Sequence, residues 1–191
     1  MEKRNILFVM SSLRNGGAER SLVNVLQLLD YDRYNVDLLL FQNEGMFLKQ
    51  VPKEVNIISN CNKLYTLYDN NKTEALKHPY LSVVHMIGTF ISRKKTNSVA
   101  KSRQYRWEHF YKKIIPELTK EYDVAIAYMQ REQTYFLVDK VKATKKIAWV
   151  HNEYSQLGHF KEMDLEYFEK VDKVVTISDL CAKDLKKNFP S

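Results

Sequence analysis

Two adjacent glycines near the start of the chain have the setting of an anion-binding turn. The apolar run from Ile6 to Met10 predicts a buried strand, segment 11–15 predicts a polar loop, and Gly16 and Gly17 then open an apolar-periodic helix. Strand, glycine turn and helix together place backbone N–H groups and a positive helix end beside a phosphate. The same pattern also serves as a plain strand-to-helix turn, and both interpretations stay open.

The glycine turn differs from two familiar phosphate-binding loops. It is not a Walker loop, because no Gly-Lys-Ser/Thr follows it. The run 16–21, Gly-Gly-Ala-Glu-Arg-Ser, lacks the third glycine of the dinucleotide fingerprint. Gln42, which ends the second predicted strand, cannot act as a carboxylate on a ribose. An NAD-dependent enzyme is therefore a weaker hypothesis.

A second group of candidate residues begins at His151, which ends the predicted strand 145–151. An imidazole at a strand end can face a cleft and contact a substrate, or it can simply bond to a neighbouring loop. Asn152 and Glu153 can reach substrate hydroxyls or shape the loop. Arg14, in the loop before the glycines, can meet an acidic acceptor or remain solvated. We expect these residues to line a cleft.

Other reactive residue types lack the spacing of a metal or redox site. The chain has two cysteines, Cys61 and Cys181, and neither has a Cys-x-x-Cys partner, which favours a reducing compartment. No stretch reaches the ~18 apolar residues of a membrane span. We therefore expect a cytoplasmic protein without a metal site. Four histidines lack metal-ligand spacing: His78, His85, His109 and His159.

The elements that must position these residues alternate between strand and helix. This alternation predicts an α/β fold with a doubly wound, Rossmann-like parallel sheet, and the length of 191 residues suits one domain, 1–191. The predicted strands cover 6–10, 34–41, 55–59, 122–129, 145–151 and 171–178. One predicted helix begins at Gly16, and the others cover 79–95, 98–119, 132–141, 164–170 and 179–188. Segment 60–79 is predicted to be irregular. Carboxyl ends of parallel strands share one edge, so the glycines, His151 and Ser178 should meet there, with Ser178 capping the last helix.

A basic helical insert, about 79–119, is the other informative region. The formal net charge of the chain is +7, which favours anionic partners. Basic and aromatic residues alternate in the insert, as they do on helices that rest on an anionic bilayer, although a solvated helix with aromatics packed on the core fits equally well. A nucleic-acid-binding module is an alternative, but no nucleic-acid motif appears. The membrane-facing candidates are Arg93, Lys94, Lys95, Lys101, Arg103, Arg106 and Trp107.

Several of these features, in their order and spacing, resemble the N-terminal half of the family 4 (group 1) glycosyltransferases of the GT-B fold. The similarity rests on the opening strand 6–9, the string Gly-Gly-Ala-Glu-Arg at 16–20, His-Asn at 151–152, and the Ser-ending strand 174–178. Segment 60–119 carries no motif of this family. The resemblance covers the sheet framework and leaves the insert unexplained.

The resemblance implies one half of a two-domain retaining enzyme that transfers a sugar from a nucleotide-sugar donor to a glycan or lipid-linked acceptor, in cell-surface polysaccharide synthesis. Gly16 and Gly17 would approach the donor diphosphate, His151 would position the donor sugar, and the nucleotide sugar would be a substrate, with no cofactor. A donor-binding C-terminal domain with a Glu-x7-Glu motif is expected outside this chain. We therefore expect the chain alone to lack transferase activity and to work at the inner face of the membrane.

Overall fold

Six parallel strands form the central sheet of the computed structural model, which describes residues 2–58, 62–68 and 76–190. Their order is β3-β2-β1-β4-β5-β6, and every neighbouring pair is parallel. This order confirms the predicted Rossmann-like α/β fold. The strands are β1 Arg4–Met10, β2 Tyr34–Leu40, β3 Asn56–Ile58, β4 Glu121–Ala127, β5 Lys142–Val150 and β6 Lys173–Thr176.

Helices follow the strands and cover the sheet. The α-helices of the described residues are α1 Gly17–Leu28, α2 Asn62–Tyr68, α3 Pro79–Lys95, α4 Val99–Arg106, α5 Lys112–Ile114, α6 Glu132–Lys140, α7 Lys161–Phe168 and α8 Asp179–Asn188. A π-helical turn, Trp107–Tyr111, joins α4 to α5, and short 3-10 helices occupy Leu48–Gln50 and Tyr154–Gln156. The Ser178 side chain accepts a hydrogen bond from the Cys181 N–H, as expected of an N-cap.

Strand β1 is buried on both faces of the sheet. Leu7 and Val9 belong to the core beneath α6 and the insert, whereas Phe8 and Met10 belong to the core beneath α1. Successive side chains of a strand point to opposite faces, so a continuous apolar run supplies both cores. The described residues form a single α/β domain around these two cores.

Two predicted boundaries were wrong. Segment 60–79 contains α2, whose Leu64 and Leu67 lie three residues apart and are buried in the core beneath the insert. Two leucines within a polar stretch are too few to reveal a helical period. The predicted helix 98–119 ends at α5, and Ile115, which precedes Pro116, is extended at φ −76° and ψ 125°. A residue before proline is pushed out of the helical region.

Trp107, one of the membrane-facing candidates, is instead fully buried. Its indole Nε1–H donates a hydrogen bond of 3.0 Å to Oδ2 of Asp139 on α6. Tyr111, one turn later, is also buried. The aromatic side chains of the π-helical turn therefore fasten the insert to the sheet, which is the alternative that the sequence left open.

Truncation of Trp107 should destabilise the fold. We expect Trp107→Ala to lower the free energy of unfolding by about 3–5 kcal/mol, because it removes a large buried side chain and leaves a cavity. Urea denaturation of the purified chain measures this change. Val99→Ala on α4 removes an exposed side chain and should change stability by less than about 0.5 kcal/mol. Equal stabilities for the two variants would contradict the buried position of Trp107.

Candidate functional site

The predicted glycine turn lies at the carboxyl edge of the sheet. β1 ends at Met10 and α1 begins at Gly17, while Gly16 is the N-cap residue in an extended conformation with no side-chain cap. A Cβ added at Gly16 would collide with the carboxylate of Glu19. The Glu19 side chain therefore folds back over the turn, where its negative charge meets the positive end of the α1 dipole.

Gly17 has open space above it. A Cβ added there would meet no atom within 4 Å, and its φ lies outside the left-handed region. Gly45 is different, because its φ is +128° and an added Cβ would collide with the Leu13 carbonyl. The fold itself therefore requires glycine at position 45 but not at position 17. A bare backbone at position 17 instead leaves room for a ligand to approach the first helical turn.

His151 follows β5 and is held by its neighbours from several sides. Its backbone N–H donates a 3.2 Å hydrogen bond to Oε1 of Gln130, and its ring lies 5.4 Å from the Tyr128 ring and 5.5 Å from the Trp149 ring, centroid to centroid. Its Nε2 is buried without a hydrogen-bond partner. His151 thus has, at the carboxyl edge of the sheet, a buried ring nitrogen that no described residue hydrogen-bonds.

Burial lowers the pKa of His151 below the usual value for histidine. A hydrogen bond to the Tyr128 backbone and the charge of Glu19 act in the opposite direction but do not overcome the burial. The imidazole is therefore neutral at pH 7. A neutral imidazole has one N–H donor and one acceptor nitrogen, which suits contacts to sugar hydroxyls.

The glycine turn and His151 belong to one cluster. Glu19 links them, because its carboxylate covers Gly16 and its charge acts on His151. The Tyr128 hydroxyl, which lies 3.0 Å from the Ser21 hydroxyl, ties the end of β4 to α1. This cluster lies where strand order reverses between β1 and β4, the crevice in which open α/β sheets bind ligands.

The other cleft candidates lie at the same edge but do not join this cluster by any contact in the described part of the chain. Arg14 is ion-paired with Glu44 and remains mostly exposed. Asn152 is exposed, and Glu153 accepts a 2.7 Å hydrogen bond from Nε2 of Gln156. These three residues therefore stay predictions as ligand contacts.

The loop after β4 is a feature that the sequence reasoning missed. Among the described residues, Arg131 is the one non-glycine residue with a positive φ. Its φ is 75° and its ψ is −127°. Such strain is concentrated at functional sites. The next three residues, Glu132, Gln133 and Thr134, are all buried. In the sequence, the only indication of this loop is the polar run Gln-Arg-Glu-Gln-Thr at 130–134, which is also typical of a solvent-exposed helix start.

Arg103 of the insert reaches this loop instead of facing outward. Its Nε donates to Oε1 of Glu132, whose side chain is only 1% exposed. The charge of Glu132 raises the pKa of the guanidinium. Burial raises the pKa of the Glu132 carboxyl, but Arg103 and Arg131 more than offset it, and the net pKa is lowered. Both partners are therefore ionised, and this membrane-facing candidate holds the insert against α6.

Cavity size alone does not identify the site. A cavity of about 560 Å³ lies beside loop 115–120 that enters β4. Its buried carboxylate, Asp37, is satisfied by Asn56, Lys120 and Tyr122 at 2.9, 2.9 and 2.7 Å, as a structural carboxylate would be. A smaller cavity, about 290 Å³, opens at the carboxyl edge near Arg14 and Gln42. The candidate site is therefore assigned from the side chains and backbone groups at the carboxyl edge and not from cavity size.

No protein-family model matches the chain, and no curated protein matches it. Within the described ranges, no helix has the length and apolarity needed to cross a membrane. The same part of the chain holds no group of three His, Cys, Asp or Glu side chains arranged to bind a metal ion. The geometry of the carboxyl edge is therefore the guide to function.

Replacing Gly17 and Gly45 by alanine, in two separate variants, tests whether the fold itself requires glycine at position 17. We expect Gly17→Ala to leave the free energy of unfolding unchanged or raise it by up to about 1 kcal/mol, because alanine is the better helix former. Gly45→Ala should cost about 1–3 kcal/mol or more, because it combines positive φ with a backbone collision. Thermal or urea unfolding of both variants measures the difference. A destabilised Gly17→Ala protein would show that the fold itself requires this glycine.

Proposed function

We propose that this chain is the acceptor-side half of a retaining glycosyltransferase that uses a nucleotide-sugar donor and acts in cell-surface polysaccharide synthesis. The observation that carries the proposal is the open approach to Gly17 beside a neutral His151 at the switch point of the sheet. The similarity of the glycine and His-Asn strings to GT-B glycosyltransferases supports the same assignment.

In this proposal the first turn of α1 receives the donor diphosphate. Its backbone N–H groups and helix dipole stabilise the negative charge that grows as the nucleoside diphosphate leaves. His151 orients the donor sugar through its free ring nitrogen. It is not the general base, because in retaining chemistry the leaving phosphate itself can accept the acceptor's proton. Asn152 and Glu153 are the next two residues after His151. Arg14 lies on the acceptor side.

The alternative, a basic module that binds nucleic acid or phosphate without catalysis, has less support. Such a module needs exposed cations with exposed aromatic side chains. In α4 and the π-helical turn, Arg103 is paired with buried Glu132, and Trp107 and Tyr111 are buried, which leaves only α3 of the insert with exposed aromatic side chains beside exposed cations in the described chain. Salt-dependent binding of generic DNA would favour this alternative.

Replacement of His151 tests the catalytic assignment. In a protein that joins this chain to a donor-binding half, we expect His151→Ala to lower kcat for sugar transfer by about 100-fold or more, since misplaced donors react that much more slowly. His109→Ala, an exposed histidine of the π-helical turn, is the matched control and should leave kcat unchanged. Near-normal turnover of His151→Ala would remove this residue from the site, and sugar transfer by the isolated chain would contradict the two-domain proposal.

We also propose that α3 rests on an anionic membrane surface. Five apolar side chains along this helix are each between 47% and 65% exposed: Tyr80, Val83, Met86, Ile87 and Phe90. The last turn carries three exposed cations, Arg93, Lys94 and Lys95, and Nζ of Lys94 lies 4.4 Å from the Phe90 ring centroid. Interfacial helices combine such an apolar face with cations that meet acidic headgroups.

This surface differs in part from the residues named as membrane candidates by the sequence. The three cations at the end of α3 belong to it. Lys101 is half-buried, with its ammonium 4.9 Å from the Phe160 ring centroid, and Arg103 and Trp107 face the protein interior. The proposed membrane-binding surface is therefore the apolar stripe of α3 and not the basic residues of α4.

Vesicle sedimentation tests the membrane proposal. We expect the chain to bind vesicles that contain phosphatidylglycerol more strongly than vesicles of neutral phosphatidylcholine. Met86→Glu and Phe90→Glu should each weaken binding at least about fivefold, because they place a negative charge in the apolar stripe. Leu28→Glu, at an apolar position on α1 that is 87% exposed, is the control and should bind normally. Equal binding to the two vesicle types would end the proposal.

A further inference from the structure

The smaller cavity at the carboxyl edge, about 290 Å³, has a basic and polar wall. We call it the insert cavity, because α3 and α4 close it over the ends of β1 and β2. Ser11 and Gln42 follow those two strands, Gln133 is the second residue of α6, and His85, Arg103 and Arg106 come from the insert. The insert thus builds a site that the glycosyltransferase resemblance does not cover.

Two donors in this wall have no partner. Nε of Arg106 and the hydroxyl oxygen of Tyr68 are both buried and make no hydrogen bond. Both residues line the insert cavity. Buried polar groups are almost always hydrogen-bonded, and an unsatisfied one is costly. Two unsatisfied donors that belong to residues lining one cavity point to a ligand that supplies acceptors.

The charges of the wall do not cancel. Arg14 pairs with Glu44, and Arg103 pairs with Glu132. Arg106 donates from Nη1 to the Thr89 hydroxyl at 3.2 Å, and no carboxylate of the described residues is ion-paired with it. A partly buried guanidinium without a counter-charge is unfavourable unless an anion joins it.

The groups around Arg106 respond to its charge. Burial lowers the pKa of His85, and the charge of Arg106 lowers it further. Burial raises the pKa of Tyr111 to about 12, although Arg106 acts to lower it. His85 and Tyr111 are therefore neutral at pH 7, with the Tyr111 hydroxyl 2.8 Å from His85 Nδ1. Arg106 is left as the single uncompensated charge in the described wall.

We infer that the insert cavity binds an oxyanion of the sugar acceptor, a phosphate or a carboxylate, through Arg106 and the Tyr68 hydroxyl. The identification of the ligand as the acceptor rests on the proposed function, whereas the anion site itself rests on the cavity alone. The cavity is at the small end of the range for ligand pockets, which suits one charged group or monosaccharide and not a whole nucleotide. It also lies on the α3–α4 side of the sheet, whereas the glycine turn opens on the α1 side.

Binding of inorganic phosphate to the purified chain tests the inference without any transfer assay. We expect an NMR titration with phosphate to shift signals of cavity residues, and Arg106→Gln to weaken binding at least tenfold. Arg106→Lys should restore binding in part, because lysine keeps the charge without the planar fork. Arg33→Gln, at an exposed arginine in the turn before β2, is the matched control and should bind phosphate as the unaltered chain does.

Tyr68→Phe separates a binding role from a structural one. It should weaken phosphate binding several-fold, yet leave unfolding in phosphate-free buffer unchanged or shift it to higher urea, because it removes an unsatisfied buried hydroxyl. A second titration with glucuronate distinguishes the sources of the oxyanion. Tighter binding of glucuronate, with the same dependence on Arg106, identifies a carboxylate-bearing acceptor, and tighter binding of phosphate identifies a phosphorylated one.

Three results would overturn the inference. The first is that neither oxyanion binds. The second is that phosphate binding survives both Arg106→Gln and Tyr68→Phe. The third is that Gly17→Ala abolishes phosphate binding while Arg106→Gln leaves it intact. The last result would place the phosphate at the glycine turn. Arg106-dependent binding in a two-domain protein that transfers no sugar would keep the anion site and reject the proposed function.

Discussion

The buried ion pair between Arg103 and Glu132 holds the two parts of this molecule together. Glu132 opens α6 directly after the strained Arg131, and Arg103 reaches it from α4 of the insert. Desolvation of two charges is costly, and their attraction offsets this cost only when both partners stay in place. The pair therefore fixes the insert over the carboxyl edge, and with it the position of Arg106, one turn further along α4.

The two proposed sites would give one sheet edge two different anion-binding environments. On the α1 side, the charge comes from backbone N–H groups and a helix dipole, which suits a diphosphate that approaches bare backbone at Gly17. On the insert side, the charge comes from the guanidinium of Arg106, which suits a smaller oxyanion. The loop that follows β1 contributes Ser11 to the second environment and the glycines to the first. A donor and an acceptor can thus meet across one loop.

The sequence predicts the framework well and the insert poorly, for a physical reason. The apolar runs of β1 and β5 and the glycine turn fix which residues end at the carboxyl edge, because parallel strands leave little choice. Helical periodicity shows which residues share a face but not what that face contacts. Trp107 and Arg103 therefore could not be distinguished from exposed residues until Asp139 and Glu132, both more than 25 residues away in sequence, were located. The positive φ of Arg131 has no local signature at all.

Glu19 bears on how the glycine turn would receive the proposed diphosphate. Its carboxylate lies over Gly16 and occupies the position that an incoming anion would take. A carboxylate at a helix N-terminus contributes only about 0.3–1 kcal/mol, so a diphosphate with two or more charges can displace it. The charge of Glu19 raises the pKa of His151, and a diphosphate, which carries more negative charge, would act in the same direction. Burial is what lowers this pKa, so the burial of the ring must oppose the charge of the bound diphosphate if the imidazole is to stay neutral.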